Sequence, residues 1–131
     1  NKTDDGSLND FRTVMVQRPY GDYSRMDVWG QRNFERSDYE SLIILINNPK
    51  VGLITDSPSK QALFHFTAHG SPKYSTQYEN DTTKSYFLNI TKVDWDKRIL
   101  SGVFECNLIE ADGGIDTSTL RITNGRFDVS F

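Results

Sequence analysis

The sequence predicts an all-β protein, a single antiparallel β-sandwich of about eight strands, with a lipocalin-like β-barrel as the alternative. Two observations predict this fold class. The chain holds 3 Ala and 5 Glu against 11 Thr, 12 Ser, 9 Asn and 13 Asp, so helix formers are scarce and strand and turn formers abundant. Short apolar runs also alternate with turn residues from Phe11 to Phe131. Periodicity does not separate a sandwich from a barrel, because both require alternating strands with frequent turns.

The length and charge of the chain limit its organisation and its partners. A chain of 131 residues predicts one domain, and 33 of them are Leu, Ile, Val or Phe, which is enough for a core. Residues 1–10 are almost wholly polar and predict an N-terminal arm, which leaves residues 11–131 as the all-β domain. The net charge is −3 and the sequence shows no basic patch, which argues against a nucleic-acid partner.

Four strands are predicted in the first half of the chain. Apolar residues recur at every second position in residues 11–17, 25–31 and 62–68, which turns one face of each strand inward. Residues 41–47 are apolar on both faces and rich in Ile, as expected of a strand covered on both sides, and Pro49 cannot continue it. The predicted inward residues are Val14, Val16, Met26, Val28, Phe64 and Phe66.

The second half is predicted to begin with a long loop from Gly70 to Lys84. Strands follow at residues 85–91 and 98–109, and then at 118–122 and 127–131. A hairpin turn is predicted at residues 111–114 and another at Asn124-Gly125. Gly102 predicts a bulge or the close approach of a neighbouring backbone. The predicted inward residues are Tyr86, Leu88, Ile90, Leu100, Phe104, Cys106, Leu108, Phe127 and Val129.

Three sequence blocks stand in order in the C-terminal third of the chain. They are Ile90-Thr91-Lys92-Val93-Asp94, Arg98-Ile99-Leu100-Ser101-Gly102-Val103-Phe104-Glu105 and Arg121-Ile122-Thr123-Asn124-Gly125-Arg126-Phe127-Asp128-Val129. The pattern resembles an uncharacterised family of small secreted lipoproteins from gut-dwelling Gram-negative anaerobic bacteria. The resemblance covers residues 86–131 well and residues 26–46 and 51–66 more loosely. It implies an exported, all-β, lipid-anchored protein without assigned catalytic residues, and it implies no mechanism.

The chain carries no candidate transmembrane helix in its sequence. Its longest wholly apolar run, Leu42 to Ile46, is far shorter than the ~20 residues that a helical span needs. The chain starts at Asn1 rather than at Met, and we expect it to derive from a longer precursor. With the resemblance, this predicts a location in the periplasm or at the cell surface. Membrane contact is then expected only through an N-terminal lipid anchor outside this chain.

The residues that could carry chemistry do not form a known catalytic or metal motif. His65 and His69 have the spacing that holds zinc on a helix, but four residues of a strand span ~13 Å, too far for one ion. Cys106 is alone and is expected to be a small buried residue. The Asp-rich turns at 94–96 and 112–116 depart from the twelve-residue calcium loop, and calcium there is left open. We therefore predict no catalytic residue, no metal and no cofactor.

Aromatic residues are the remaining indication of function. Trp29, Tyr74, Tyr78 and Trp95 fall at predicted outward or loop positions, where rings with a polar edge suit stacking on sugars or packing in an interface. The alternative is that they cover strand edges and loops. The sequence thus predicts a non-catalytic binding domain with these four residues as ligand contacts. Its partner is an unidentified glycan, small molecule or protein, and the second hypothesis is a structural or protein-interaction lipoprotein subunit without a small-molecule site.

Overall fold

The computed structural model describes residues 13–17, 24–33, 39–55, 61–69, 76–111 and 118–131. Within these ranges the side chains of residues 13–17, 31–33, 39 and 69 are not described. The described part contains nine strands and no helix: β1 (Thr13–Gln17), β2 (Arg25–Asn33), β3 (Tyr39–Asn47), β4 (Gly52–Ile54), β5 (Ala62–His69), β6 (Thr76–Asn80), β7 (Phe87–Asp94), β8 (Ile99–Glu110) and β9 (Thr119–Ser130). The predicted all-β class is confirmed.

The nine strands form one antiparallel sheet that curls into a half-barrel. The hydrogen-bonded order is β1-β2-β3-β5-β6-β8-β7-β4, and β9 pairs with β8 outside this path. At the ends of the curl, Cα atoms of β1 come within 8 Å of Cα atoms of β9. Curling brings the inner faces of distant strands together, which is how a single sheet encloses a core.

The core lies on the concave side of the sheet, where alternation along each strand places the apolar residues. The inward positions predicted for β2, β5, β8 and β9 are buried, and Leu88 and Ile90 of β7 are fully buried. The buried apolar residues are Met26, Val28, Leu42, Ile44, Ile46, Ala62, Phe64, Phe66, Leu88, Ile90, Leu100, Phe104, Cys106, Leu108, Ile122, Phe127 and Val129. Burial also raises the pKa of the Cys106 thiol, as expected for a structural cysteine.

Two local predictions differ from the observed strands. The loop predicted from Gly70 to Lys84 is interrupted by β6, and β4 was not predicted because it has only three residues. The outer face of β3 is covered less than expected: Ile43 and Leu45 are half-buried, since no described layer packs over that face.

The hairpin predicted at Asn124-Gly125 is wrong, because β9 runs through this position as one strand. The register with β8 shifts between Phe104 and Cys106, so that Thr123 and Asn124 form a bulge opposite Glu105. Asn124 takes a φ of 55° there. A Cβ on Gly125 would lie 2.4 Å from Cζ of Phe104, so the glycine makes room for a core ring rather than a turn.

The bulge predicted at Gly102 is confirmed, although the extra residue lies on the neighbouring strand β7. The register of β7 against β8 shifts between Ile90 and Lys92, next to Gly102. A Cβ on Gly102 would lie 2.7 Å from Cζ of Phe127 and 3.0 Å from the Asn89 carbonyl oxygen. The glycine therefore accommodates both the bulged neighbour strand and a core ring.

Candidate functional site

Trp29 lies in the middle of β2 on the convex, outer face of the sheet, as the alternation predicts. It is half-buried, and its Cα pairs with those of Met15 on β1 and Ile43 on β3. Residues paired across neighbouring strands form a row from Trp29. In this row Ile43 pairs with His65 of β5, His65 with Glu79 of β6, and Glu79 with Ile109 of β8. Trp29 is therefore one member of a broad outer face rather than the wall of an enclosed pocket.

Tyr78 lies in β6 and packs against the core instead of projecting from a loop. Its ring meets the ring of Phe66 edge to face, with the two centroids 5.9 Å apart. Its hydroxyl oxygen is 3.3 Å from Oγ of Ser118, within hydrogen-bond distance. The ring of Tyr78 is therefore part of the packing around the core. Tyr74 lies outside the described residues.

Trp95 lies in the four-residue turn that joins β7 to β8, and 48% of its surface is exposed. The Asp94 carboxylate accepts a hydrogen bond from the Lys97 amide at 2.9 Å, and Arg98 completes the turn with a φ of 58°. The indole meets the ring of Phe131 edge to face, with centroids 5.6 Å apart. Trp95 therefore covers the last residue of the chain.

The structure does not gather the described aromatic candidates into one site. Trp95 adjoins the Ile99 end of β8, whereas the row through Trp29 meets β8 at Ile109. These ends are ten residues apart, about 33 Å at ~3.3 Å per residue. Tyr78 is on the inner side, against the core. The described aromatic candidates therefore stand on three separate elements, β2, β6 and the β7–β8 turn.

The histidine pair lies on a strand, as predicted, since β5 runs from Ala62 to His69. His65 is exposed on the outer face, and its Cα pairs with those of Ile43 and Glu79. The side chain of His69 lies outside the described residues. Among the described side chains, no group of three or more His, Cys, Asp or Glu could hold a metal ion.

A cleft of about 530 Å³ opens where the edge of β8 changes partners. Seven residues line it: Lys84, Ser85, Asn107, Leu108, Thr119, Leu120 and Arg121. They come from the segment between β6 and β7, from β8 itself and from the start of β9. We call this the β8 cleft. Its position is fixed by the sheet, because β8 lies between the other two elements.

The β8 cleft results from an interrupted strand edge. Asn80 of β6 pairs with Leu108, and Phe87 of β7 pairs with Glu105, so residues 81–86 leave the sheet opposite Cys106 and Asn107. We call residues 81–86 the 81–86 connection. It stays attached to β8 by two hydrogen bonds: the Asp81 amide donates to the Asn107 carbonyl at 2.9 Å, and Asn107 Nδ2 donates to the Ser85 carbonyl at 2.9 Å.

The 81–86 connection is also held from within by Asp81, which is buried. Oδ1 of Asp81 accepts hydrogen bonds from the Thr83 amide at 3.0 Å and from the Thr83 hydroxyl at 2.6 Å. These bonds stabilise the charged carboxylate, so that the pKa of Asp81 is below its usual range. The backbone next to Lys84 and Ser85 is thereby fixed before any ligand arrives.

The ionisable residues that line the β8 cleft are both cations. Lys84 comes from the 81–86 connection and Arg121 from β9. Arg121 is 64% exposed, and one of its nitrogens lies 3.3 Å from Oε1 of Glu105. Together with the Ser85 and Thr119 hydroxyls and the Asn107 amide, they give the β8 cleft a lining rich in hydrogen-bond donors.

None of these lining residues was singled out from the sequence as a ligand contact. Asn107 and Arg121 occupy outward positions of predicted strands, where polar residues are ordinary. Lys84 and Ser85 fall in the predicted loop. The segment Asp81-Thr82-Thr83 does carry a sequence signal. An Asp followed two residues later by Thr is typical of a turn in which the Asp side chain accepts hydrogen bonds from the following residues. It indicates a rigid segment, and only the register shows what lies opposite.

Comparisons of the chain with protein-family models, with curated proteins and with solved structures found no match. The search of the described residues for a helix long and apolar enough to cross a membrane found none.

Proposed function

We propose that the chain is an exported, non-catalytic binding domain that holds a small polar ligand, such as a glycan unit, in the β8 cleft. The observation that carries this proposal is the preformed lining of the β8 cleft. Its hydrogen-bonding side chains stand on two paired strands and on a connection fixed by Asp81. Sites held on rigid elements bind without a large ordering cost.

The chemistry of the lining supports binding rather than catalysis. None of its seven residues carries a carboxylate, an imidazole or a thiol, and no hydrogen bond joins the Ser85 or Thr119 hydroxyl to the Lys84 amine in the described structure, as activation of a nucleophile would require. The Glu105 carboxylate, beside the lining, is engaged with Arg121. His65 lies on β5, outside this lining.

Export and lipid anchoring are part of the proposal and rest on the resemblance of the three C-terminal blocks to secreted lipoproteins. These blocks fall on β7, β8 and β9, and Arg121 belongs to the third of them. The second and third blocks therefore lie on two of the three elements around the β8 cleft, and Arg121 is the one lining residue that belongs to them.

An amide NMR titration with neutral and acidic monosaccharides tests the proposal on the intact chain. We expect amide shifts at Ser85, Asn107 and Thr119 and little change elsewhere. Thr119→Val removes one lining hydroxyl at nearly constant volume and should weaken binding about two- to fivefold. The matched control, Thr91→Val, alters an exposed threonine on β7 and should leave binding unchanged. Shifts that avoid the lining would contradict the proposed site.

The same titration tests the aromatic contacts predicted from the sequence. Binding at Trp29 or Trp95 would change indole fluorescence and shift the indole NH resonances. Because Trp29 stands on β2 and Trp95 in the β7–β8 turn, a shift at one without the other identifies the element involved. Tyr78 is predicted to respond weakly, since its ring packs on Phe66.

A protein-interaction subunit is the second candidate, and the exposed apolar residues at β4 favour it. Val51 and Leu53 are each 65% exposed, and among the described strands β4 pairs only with β7. An exposed apolar strand edge is a common site for pairing with another chain. Under this candidate Leu53→Lys abolishes a complex that Thr119→Val leaves intact. Under the binding-domain proposal Leu53→Lys leaves ligand binding unchanged and Thr119→Val weakens it about two- to fivefold.

A further inference from the structure

We infer that the ligand of the β8 cleft carries an oxyanion, a carboxylate or a sulfate or phosphate ester, that Lys84 and Arg121 bind together. This inference rests on the proposed function and specifies the ligand class of the same site. The two cations belong to elements on opposite edges of β8, the 81–86 connection and β9, with Asn107 on the strand between them. A group bound over Asn107 is within reach of both long side chains.

The cations are available to a ligand. Lys84 forms no ion pair with any described residue. Arg121 has one contact, at 3.3 Å, with Glu105, and a guanidinium offers five N–H donors in a planar fork. That fork matches the two oxygens of a carboxylate or of a sulfate or phosphate group. The single contact with Glu105 leaves most of this donor capacity unused.

Two carboxylates of the described residues interact with the two cations, and both are already engaged. The positive charge of Lys84 contributes to lowering the pKa of Asp81. Oδ1 of Asp81 already accepts two hydrogen bonds from Thr83. Glu105 competes with a ligand for Arg121. The chain as a whole has a net charge of −3, so a pair of cations with no acidic residue among the seven described lining residues is a local feature. An acidic ligand is therefore favoured over a cationic one.

The neutral donors in the lining extend recognition beyond a bare ion. The Ser85 and Thr119 hydroxyls lie on opposite sides of Asn107, and a volume of about 530 Å³ exceeds what a single sulfate fills. An acidic saccharide, with one charged group and several hydroxyls, matches this combination. A free inorganic oxyanion has the same charge but leaves the hydroxyl donors unmatched.

The test is a set of titrations with sodium glucuronate, sodium sulfate and glucose, followed by amide NMR and calorimetry at about 20 mM and about 150 mM salt. Lys84→Gln and Arg121→Gln should each weaken glucuronate binding about three- to fivefold, the range of an exposed charge pair. Glu105→Gln should tighten it about twofold, because it removes the competitor for Arg121. Raising the salt should weaken binding in the wild type.

Two control variants change charge outside the β8 cleft. Arg126→Gln removes an exposed cation opposite Val103, and Asp128→Asn removes an anion opposite Ser101. These positions lie about 13 and 20 Å from Asn107 along β8, at ~3.3 Å per residue, beyond the ~8 Å screening length at physiological salt. At about 150 mM salt both controls should change affinity less than 1.5-fold.

The outcomes separate this inference from the proposed function. Glucuronate binding that depends on both cations supports the inference. If sulfate then binds more weakly than glucuronate, the ligand is an acidic saccharide. If sulfate binds equally well, the ligand is a free oxyanion. If glucose and glucuronate bind equally at the lining and neither Gln variant weakens them, the inference is overturned while the proposed function stands. If no probe shifts the lining residues, both are overturned.

Discussion

The two edges of β8 show what a continuous and an interrupted strand edge do in the same sheet. One edge pairs with β9 alone, from Ile99 opposite Ser130 to Ile109 opposite Thr119. The other is shared by β6 and β7, and the 81–86 connection leaves the sheet between them. The continuous edge positions core residues. The interrupted edge exposes a stretch of β8 to side chains from another element and so creates the β8 cleft.

The continuous edge is not perfectly regular, and its irregularity serves the core. Thr123 and Asn124 bulge opposite Glu105, and Gly125 then lies against the ring of Phe104. A bulge absorbs one extra residue while strand pairing continues on both sides. On the other edge six residues are inserted, too many for a bulge, and their polar groups are satisfied by Asp81 and Asn107 instead.

The largest expected effect is on the continuous edge. Phe104→Ala should reduce the free energy of unfolding by about 3–5 kcal/mol, because Phe104 is fully buried and its ring contacts Phe64 and Phe127. Urea denaturation followed by tryptophan fluorescence measures the loss. Val103→Ala, on the exposed face of the same strand, is the control and should cost less than about 1 kcal/mol. Equal losses for the two variants would mean that the sheet does not enclose its core on this side.

A smaller loss is expected where the bulge meets the core. Gly125→Ala places a Cβ 2.4 Å from the Phe104 ring and should cost about 1–3 kcal/mol by overpacking. Phe104→Leu in the Gly125→Ala background should recover part of this loss, which a double-mutant cycle would show as favourable coupling. An unchanged urea midpoint for Gly125→Ala would contradict the close approach of Gly125 to the ring.

A local effect is expected on the interrupted edge. Asp81→Ala removes the acceptor of the two Thr83 bonds, so hydrogen exchange at the Thr83 and Lys84 amides should accelerate about tenfold while exchange in β8 and β9 is unchanged. Asp96→Ala, in the exposed β7–β8 turn, is the matched control and should leave these amides unaffected. Acceleration throughout the sheet would show that the 81–86 connection supports the whole fold and not only the cleft.

The smallest expected effect is the pH dependence of Glu110. Its pKa is lowered because the Ser118 hydroxyl and amide donate to Oε1. A carboxyl with a lowered folded-state pKa contributes stability above its ordinary pKa of about 4.3, and this stability is lost as the pH falls through the lowered value.

Thermal unfolding between pH 7 and pH 3 measures this contribution. Glu110→Gln should lower the unfolding midpoint at pH 7 and lose less than the wild type on acidification. Glu79→Gln, an exposed acid on β6, is the control and should follow the wild-type curve. A Glu110→Gln curve parallel to the wild type would exclude a contribution from the Ser118 bonds.

The strands that could be predicted are those whose inward residues recur at every second position. β2, β5 and β8 were located this way within one or two residues, and their predicted core residues are buried. β4 and β6 escaped because they are short and carry little periodicity. The hairpin at Asn124-Gly125 was wrong because a positive φ at Asn and a glycine also suit a bulge, and only pairing with β8 distinguishes the two.

The site was less predictable than the fold. Trp29 was correctly placed on an outer face, but Tyr78 was assigned to a loop and lies against Phe66. The aromatic candidates share a residue type rather than a location. Lys84, Asn107 and Arg121 are separated by more than ten residues at each step, and no local pattern relates them. Their proximity depends on the register of three strands, which is a long-range property.

The sequence by itself determined the all-β class and the inward faces of the main strands, and Asp81-Thr82-Thr83 also encodes a hydrogen-bonded turn, which we predicted only as part of a long loop. These follow from local alternation and from hydrogen bonds between near neighbours, which a linear pattern records. Only the tertiary structure decided that the sheet curls into a half-barrel, that β9 is one bulged strand and that Lys84 and Arg121 line one cleft from opposite edges of β8. Those outcomes depend on which strands pair and in which register, because a shift of one residue would turn strand residues such as Asn107 and Arg121 to the other face.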